Sequence, residues 1–318
     1  MNFDVRKRTI LYVRHGSHAY GLNIPTSDED FKGVCIAPVD IYLGFLHSFE
    51  QEEHMGSKSD GVDHVVYGID KFAKLATDCN PNIIEILHVG DSSVLHIDEF
   101  GEELRAHAND FLSKKAKFTF SGYANAQLKR IKTHRSWLLA PPKAPPTRKE
   151  FGLSETTKVS ASELGAFDAA VADGIEVEMS KDMLTVFTRE KQYQAAKQHY
   201  DQYQNWLKTR NPKRAELEAK FGYDTKHGMH LMRLETMAVE ILQDHRVYVD
   251  RRARGDRDFL LGIRNGELEY DALIARAEAL EAQCEELYKT STLRKEPDRV
   301  ALNKLIVGMT ERYLRKFG

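Results

Sequence analysis

GSHAYGLNIPTSDED, residues 16–30, is the stretch whose reading decides the fold. The run before it, TILYV (Thr9 to Val13), is β-branched and aliphatic and predicts a buried strand. Gly16 and Ser17 then predict a turn and a short helical stretch. A Pro25-Thr26-Ser27 turn and the pair Asp28-x-Asp30 follow. DFKGVCIA (Asp30 to Ala37) predicts a second strand. Side chains two apart on a strand share a face, so Asp28 and Asp30 converge while Glu29 points away. Neighbouring carboxylates repel unless a cation sits between them, and hard oxygen donors suit Mg²⁺. Gly16 has no side chain, so an anion can approach its backbone, and the amides after it can cradle a phosphate at a helix N-terminus. A phosphate cradle beside paired metal-binding carboxylates is the apparatus of phosphoryl or nucleotidyl transfer.

Gly16-Ser17, a spacer and Asp28-x-Asp30 after a strand resemble the signature of the DNA polymerase β-type nucleotidyltransferases. The wider text, GSHAYGL…TSDEDFKGV, KFAKL…NPNIIEIL and KHGMHLMRL, resembles a narrower branch. That branch is the RNA-repair-associated, RlaP-like nucleotidyltransferases common in bacteria and phages. The resemblance touches residues 14–87 and about 223–243. It implies that Asp28 and Asp30 hold Mg²⁺, with Mn²⁺ as a substitute, and that Gly16 and Ser17 hold the β- and γ-phosphates of an NTP, taken as ATP. It also implies a third carboxylate on a neighbouring strand. VDHVVYGI, introduced by Gly61, predicts a third strand with Asp63, Val65 and Tyr67 on one face, which puts Asp63 in that place. On residue type alone, Asp63 is equally an edge-strand acid facing water.

Composition sets wider bounds. A chain of 318 residues, 42% hydrophobic and 30% charged, is an ordinary globular sequence of about two domains. No run approaches the roughly 18 apolar residues of a membrane span, so no membrane partner is expected. The N-terminus, MNFDVRKRTILYV, runs straight into the first strand without a signal-peptide pattern. Cys35, Cys79 and Cys284 are scattered and odd in number, which predicts no disulfide framework and a reducing cytoplasm. The formal net charge of -2 conceals a strong asymmetry. Residues 1–112 carry 9 Lys/Arg against 19 Asp/Glu, whereas residues 113–149 carry 10 Lys/Arg and no acid. An acidic catalytic half beside a basic stretch points to a polyanionic partner.

Further along, residues 38–60 predict a loop or short helix ending in a flexible tip. Ile69 to Cys79 predicts an amphipathic helix, and Asn80-Pro81 a cap and first position for the helix after it. Glu85, among apolar residues, reads as a paired core acid ahead of the other reading, a group that supports the site from behind. Residues 97–116 predict one more helix. The basic stretch is helical in pattern from about Tyr123 to Leu139. Lys129, Arg130, Lys132 and Arg135 spread around it, interleaved with aromatics, as a nucleic-acid surface requires, and equally as a solvated helix with core aromatics would have them. A Pro-rich crossing lies near 141–149, residues 154–185 are weakly patterned, and Thr185 to Thr209 predicts a long helix. Asp224 to Gln243 predicts another helix, with Lys226, His230 and Arg233 along one face. Such a stripe is what an anion site needs. A short strand, VYVD, an Arg-rich tip and two final helices follow.

The predicted fold is α+β. A nucleotidyltransferase domain over 1–115 has a short mixed sheet flanked by helices, and a mostly helical domain over 116–318 covers its cleft. The expected reaction moves an NMP from an NTP to an acceptor hydroxyl and releases pyrophosphate. Asp28, Asp30 and Asp63 are the metal ligands, and Lys226, His230 and Arg233 are the cations for the triphosphate. The resemblance makes an RNA end the expected acceptor. A protein-modifying, AMP-transferring enzyme and a non-catalytic nucleotide- or RNA-binding module remain alternatives.

Overall fold

The computed structural model describes residues 3–54, 62–156, 159–172 and 180–317. Strand β1 (Thr9–His15) leads into the short helix α1 (Gly16–Tyr20) and strand β2 (Glu29–Cys35). Helix α2 (Val39–Leu43), strands β3 (Gln51–His54) and β4 (Val62–Gly68), and helices α3 (Ile69–Thr77) and α4 (Pro81–His88) follow. Strand β5 (Val94–Ile97) and helix α5 (Glu99–Ala106) precede the long helix α6 (Lys115–Leu139). After it come α7 (Ala161–Ala172), α8 (Lys181–Thr209), α9 (Pro212–Phe221), α10 (Thr225–Asp244), α11 (Arg251–Arg254), α12 (Arg257–Asn265), α13 (Tyr270–Thr290) and α14 (Arg299–Phe317).

The five strands form one mixed sheet in the order β3-β4-β2-β1-β5. β1 is antiparallel to β2 and β5, β2 is parallel to β4, and β3 is antiparallel to β4. The architecture is α+β, as the sequence predicts. β1 shows why: Leu11, Val13 and His15 are buried, while Tyr12 and Arg14 between them face the other way, half-exposed. Local chemistry starts the helices. Asn80 accepts from the Asn82 amide at 3.0 Å with Pro81 at the first position, and Asp98 accepts from the Phe100 and Gly101 amides at 2.9 Å.

Several boundaries differ from the sequence reading. β3 and β5 are unexpected, because QEEH has no apolar residue and both strands are short edges. The helix expected over 97–116 is α5, a 3₁₀ turn at 108–111 and the start of α6. α6 begins well before Tyr123, because Ala116, Phe120 and Ala124 continue its buried stripe upstream. VYVD pairs with no strand among the described residues, and its Asp250 caps α11. The tip expected to end at residue 60 lies, from residue 55 on, outside the described residues. So does part of the weakly patterned 154–185 segment.

The chain separates into two compact units that differ from a division at 115/116: residues 1–131 with 223–318, and residues 132–222. The first unit recovers the C-terminal helices because they pack onto the sheet body. α14 lies against α3, and its Arg312 and Lys316 pair with Glu103 and Glu99 of α5. The second unit is helical. Arg148 pairs with Glu190 of α8 through two bonds of 2.8 and 2.9 Å, both groups buried. Trp137 donates to His199 at 2.8 Å and packs among Trp206, Tyr203 and His134, so these aromatics are core. No helix among the described residues is long and apolar enough to cross a membrane.

Candidate active site

β1 delivers Gly16 to the mouth of the sheet, and β2 delivers Asp30 opposite it. Gly16 has φ +60°, and a Cβ there would fall 1.9 Å from Asp30 Oδ2. Only glycine allows both the left-handed backbone and the carboxylate at that distance. β2 and β4 run parallel in register, with Asp30 opposite Asp63. Adjacent strands are about 4.8 Å apart, so these two carboxylates stand side by side on one face. Asp28 lies just before β2 and is exposed. Burial pushes the Asp30 carboxyl above the usual carboxylate range. Asp63 and Asp28 push the same way, while Lys32 and Lys226 pull against them. The charges of the other two acids and of Lys226 on α10 are therefore felt at Asp30.

The donor set is carboxylate oxygen alone, the chemistry of a hard divalent cation, and a cation would relieve the repulsion recorded at Asp30. Among the described residues, no group of three or more His, Cys, Asp or Glu side chains is spaced to enclose a metal ion.

Asp30→Asn is expected to raise the melting temperature at neutral pH without metal. The folded carboxyl titrates above its unfolded value, so its ionised form opposes folding at pH 7. That penalty vanishes as the pH falls below the unfolded value of about 3.9. The advantage of the variant should shrink on the same path, and added Mg²⁺ or Mn²⁺ should stabilise only the wild type. Thermal melts across pH, with chelator and with metal, check this. A variant that melts lower than wild type at pH 7 in chelator contradicts it.

The stripe on α10 divides in two. Lys226 is half-buried and its charge acts on Asp30, and His230, one turn on, is half-buried. Arg233 is 5% exposed and turns inward, where it donates to Glu85 Oε1 at 2.7 Å. Its guanidinium lies 3.9 Å from the centre of the Tyr20 ring. The Tyr20 hydroxyl donates to Glu85 Oε2 at 2.5 Å. Burial, with Glu85 adding, keeps that phenol neutral, well above its usual range. Arg233 thus braces α1 against α4 where the sequence reading has it holding phosphate. Glu85 is the paired core acid expected.

Other contributors escaped the sequence reading. His15 ends β1, is buried, and approaches Glu85 Oε2 to 3.5 Å without making a hydrogen bond. Burial, then Lys32 and Arg233, hold its imidazole well below the usual range and neutral. Lys32 donates to the Asn82 carbonyl at 3.0 Å, and burial lowers its ammonium to about 8. Its position two residues after Asp30 was the available signal. The Arg-rich tip also has a place. Arg257 donates to the Gly21 carbonyl at 2.8 Å, and Arg264 of α12 to the Leu22 carbonyl at 2.9 Å. These bonds fix the loop that carries the chain from α1 to Asp28.

On α6, Lys129, Arg130 and Lys132 are exposed, and Arg135 donates to the Gly222 carbonyl at 2.9 Å. Ser17 is half-buried in α1.

Comparison with known proteins bears on this arrangement. Residues 3–139 match the RlaP family, described as an RNA repair pathway DNA polymerase beta family. The RlaP match agrees with the resemblance read from the sequence and contains Gly16, Asp28, Asp30 and Asp63, but stops at the end of α6. The α10 stripe lies outside it, although the charge of Lys226 on α10 acts on Asp30. An uncharacterized 38.9 kDa protein of Enterobacteria phage T4, from the nrdC-mobD intergenic region, is 29% identical over 140 residues. That alignment spans 42% of this chain and 41% of the phage protein. No solved structure matches the chain.

Proposed function

We propose that this protein is a metal-dependent nucleotidyltransferase that moves an NMP from an NTP, ATP in the first instance, to a hydroxyl at an RNA end. The observation that carries the reading is the pairing of Asp30 with Asp63 against Gly16, and the charge of Lys226 acting on Asp30 supports it. In this reading Asp28, Asp30 and Asp63 hold Mg²⁺, for which Mn²⁺ can substitute. Bound there, the metal offsets the charge of the triphosphate and polarises the attacking oxygen. Gly16 and Ser17 leave room for the β- and γ-phosphates, and Lys226 supplies a point charge to them. His230 adds a hydrogen-bond donor beside it. The acceptor oxygen bonds to the α-phosphorus, the α–β bridging bond breaks, and pyrophosphate leaves. Asp63 takes up the acceptor proton. The Arg233–Glu85–Tyr20 group holds α1 in place for this and stays out of contact with substrate. Lys129, Arg130, Lys132 and Arg135 run beside RNA phosphates, the three exposed side chains most directly.

The test is incubation with each α-labelled NTP, Mg²⁺ or Mn²⁺, and total RNA. Label is expected in RNA. Label in the protein itself would identify a protein-modifying enzyme, and no transfer from any NTP would remove the catalytic reading.

A further inference from the structure

The face of the sheet opposite the three carboxylates carries a flat aromatic surface. Tyr12 of β1 and His64 of β4 are separated by β2, yet the Tyr12 hydroxyl is hydrogen-bonded to His64 Nδ1. Their ring planes differ by 12° and their centroids are 6.1 Å apart, so the two rings lie end to end in nearly one plane. Gly33 makes this possible. It pairs with Tyr12 across β1 and β2, and a Cβ there would sit 3.0 Å from Tyr12 Cδ2. Without a side chain at 33, the phenol can lie down across the middle strand. Phe31, the next outward residue on β2, is nearly parallel to both rings, at 5.8 Å from Tyr12 and 5.2 Å from His64. All three rings are half-exposed.

A cavity of about 550 Å³ adjoins the Tyr12 and His64 rings, within the range of small-ligand sites. Exposed Arg6, Glu52, His54 and His96 line it, and Val66 lies beneath. Arg14, two residues after Tyr12 on the same face, stands opposite Phe31. Three histidines reach this cavity, but the described residues form no group that could enclose a metal ion. Flat rings need a flat partner. The rim supplies donors and an acceptor at the edge, Arg6 supplies positive charge, and Arg14 beside Phe31 adds a guanidinium that is paired at 3.5 Å with Glu29. A nucleobase with its phosphate matches that combination, as in other sheets that stack unpaired bases on aromatic side chains.

We propose that this face binds single-stranded RNA, with one base stacked on the Tyr12–His64–Phe31 surface and its phosphates near Arg6 and Arg14. Phe31 and His64 directly follow Asp30 and Asp63 in β2 and β4, so the stacked base sits just behind the carboxylates, through the sheet. The strand is held by a surface the transfer chemistry does not use. The choice of RNA rests on the function proposed above, whereas the stacking surface stands on its own geometry.

The experiment titrates the full chain into a short single-stranded RNA carrying 2-aminopurine, whose fluorescence is quenched when the base stacks. Wild-type protein is expected to quench it, and the annealed duplex to bind more weakly. Phe31→Leu and His64→Asn should each weaken binding about tenfold and reduce quenching, with the melting temperature and NTP binding unchanged. If Phe31→Leu does not fold, His64→Asn alone decides. Asp30→Asn should quench like wild type while failing to transfer, which separates this surface from the catalytic reading. Unchanged affinity and quenching in the folded ring variants, or no single-strand binding by wild type, would overturn the proposal.

Discussion

Asp63→Asn is expected to lower the rate of nucleotidyl transfer on the order of 10³-fold, the scale of removing one preorganised charge from a transition state. Asparagine keeps the shape of the side chain and the register of β4 beside β2. Asp63 is half-exposed, so the change strands no buried group and the fold should hold. The loss should fall on kcat, because the NTP keeps Gly16, Ser17, Lys226 and the Asp28–Asp30 pair. Single-turnover rates at saturating NTP, with a separate measurement of NTP affinity, divide the two effects. Normal turnover would mean that another acid takes the acceptor proton. Glu85 cannot be that acid, since it is fully buried and already accepts from Tyr20 and Arg233. Normal turnover would therefore remove the assignment of β4 as a catalytic strand.

What the sequence made legible was local. Asp30 could be put on a strand face because a strand repeats every two residues, and Asp63 because VDHVVYGI has the same alternation; Asp28 lies just before β2, where that repeat does not reach. Lys226, His230 and Arg233 could be put on one helix face because that face repeats near 3.6 residues. Whether the face looks at solvent or at another helix is a long-range matter. Arg233 and Glu85 are 148 residues apart, and no periodicity links them. The same limit hid the division of the chain. Amphipathic patterns show that α10 and α14 bury a face, but they do not say that the buried partner is the sheet body. β3 was invisible for another reason: an edge strand with no apolar residue is held mainly by backbone pairing to β4, which leaves no hydrophobic pattern. Tyr12, Phe31 and His64 stood in plain view in three predicted strands. Only the strand order β4-β2-β1, with Gly33 in the middle, shows that they meet.

Arg233→Met should cost about 3–5 kcal/mol of stability, the range for breaking one half of a buried ion pair. Methionine fills much of the space and keeps an apolar stem over Tyr20, so the loss is mainly electrostatic. Glu85 is fully buried, and in the variant it keeps the Tyr20 hydroxyl and the field of Lys32 but loses its charge-assisted bond. For a chain of this size the melting temperature should fall on the order of 10 °C. Adding Glu85→Gln should restore most of the stability at pH 7, since glutamine still accepts from Tyr20 and carries no charge. A single variant as stable as wild type, or a double variant no better than the single, would show that the pair is not what holds α1 against α4. The same proteins separate bracing from binding. If Arg233 only positions α1, the double variant recovers transfer along with stability. If Arg233 touches the triphosphate, stability returns while NTP affinity stays low.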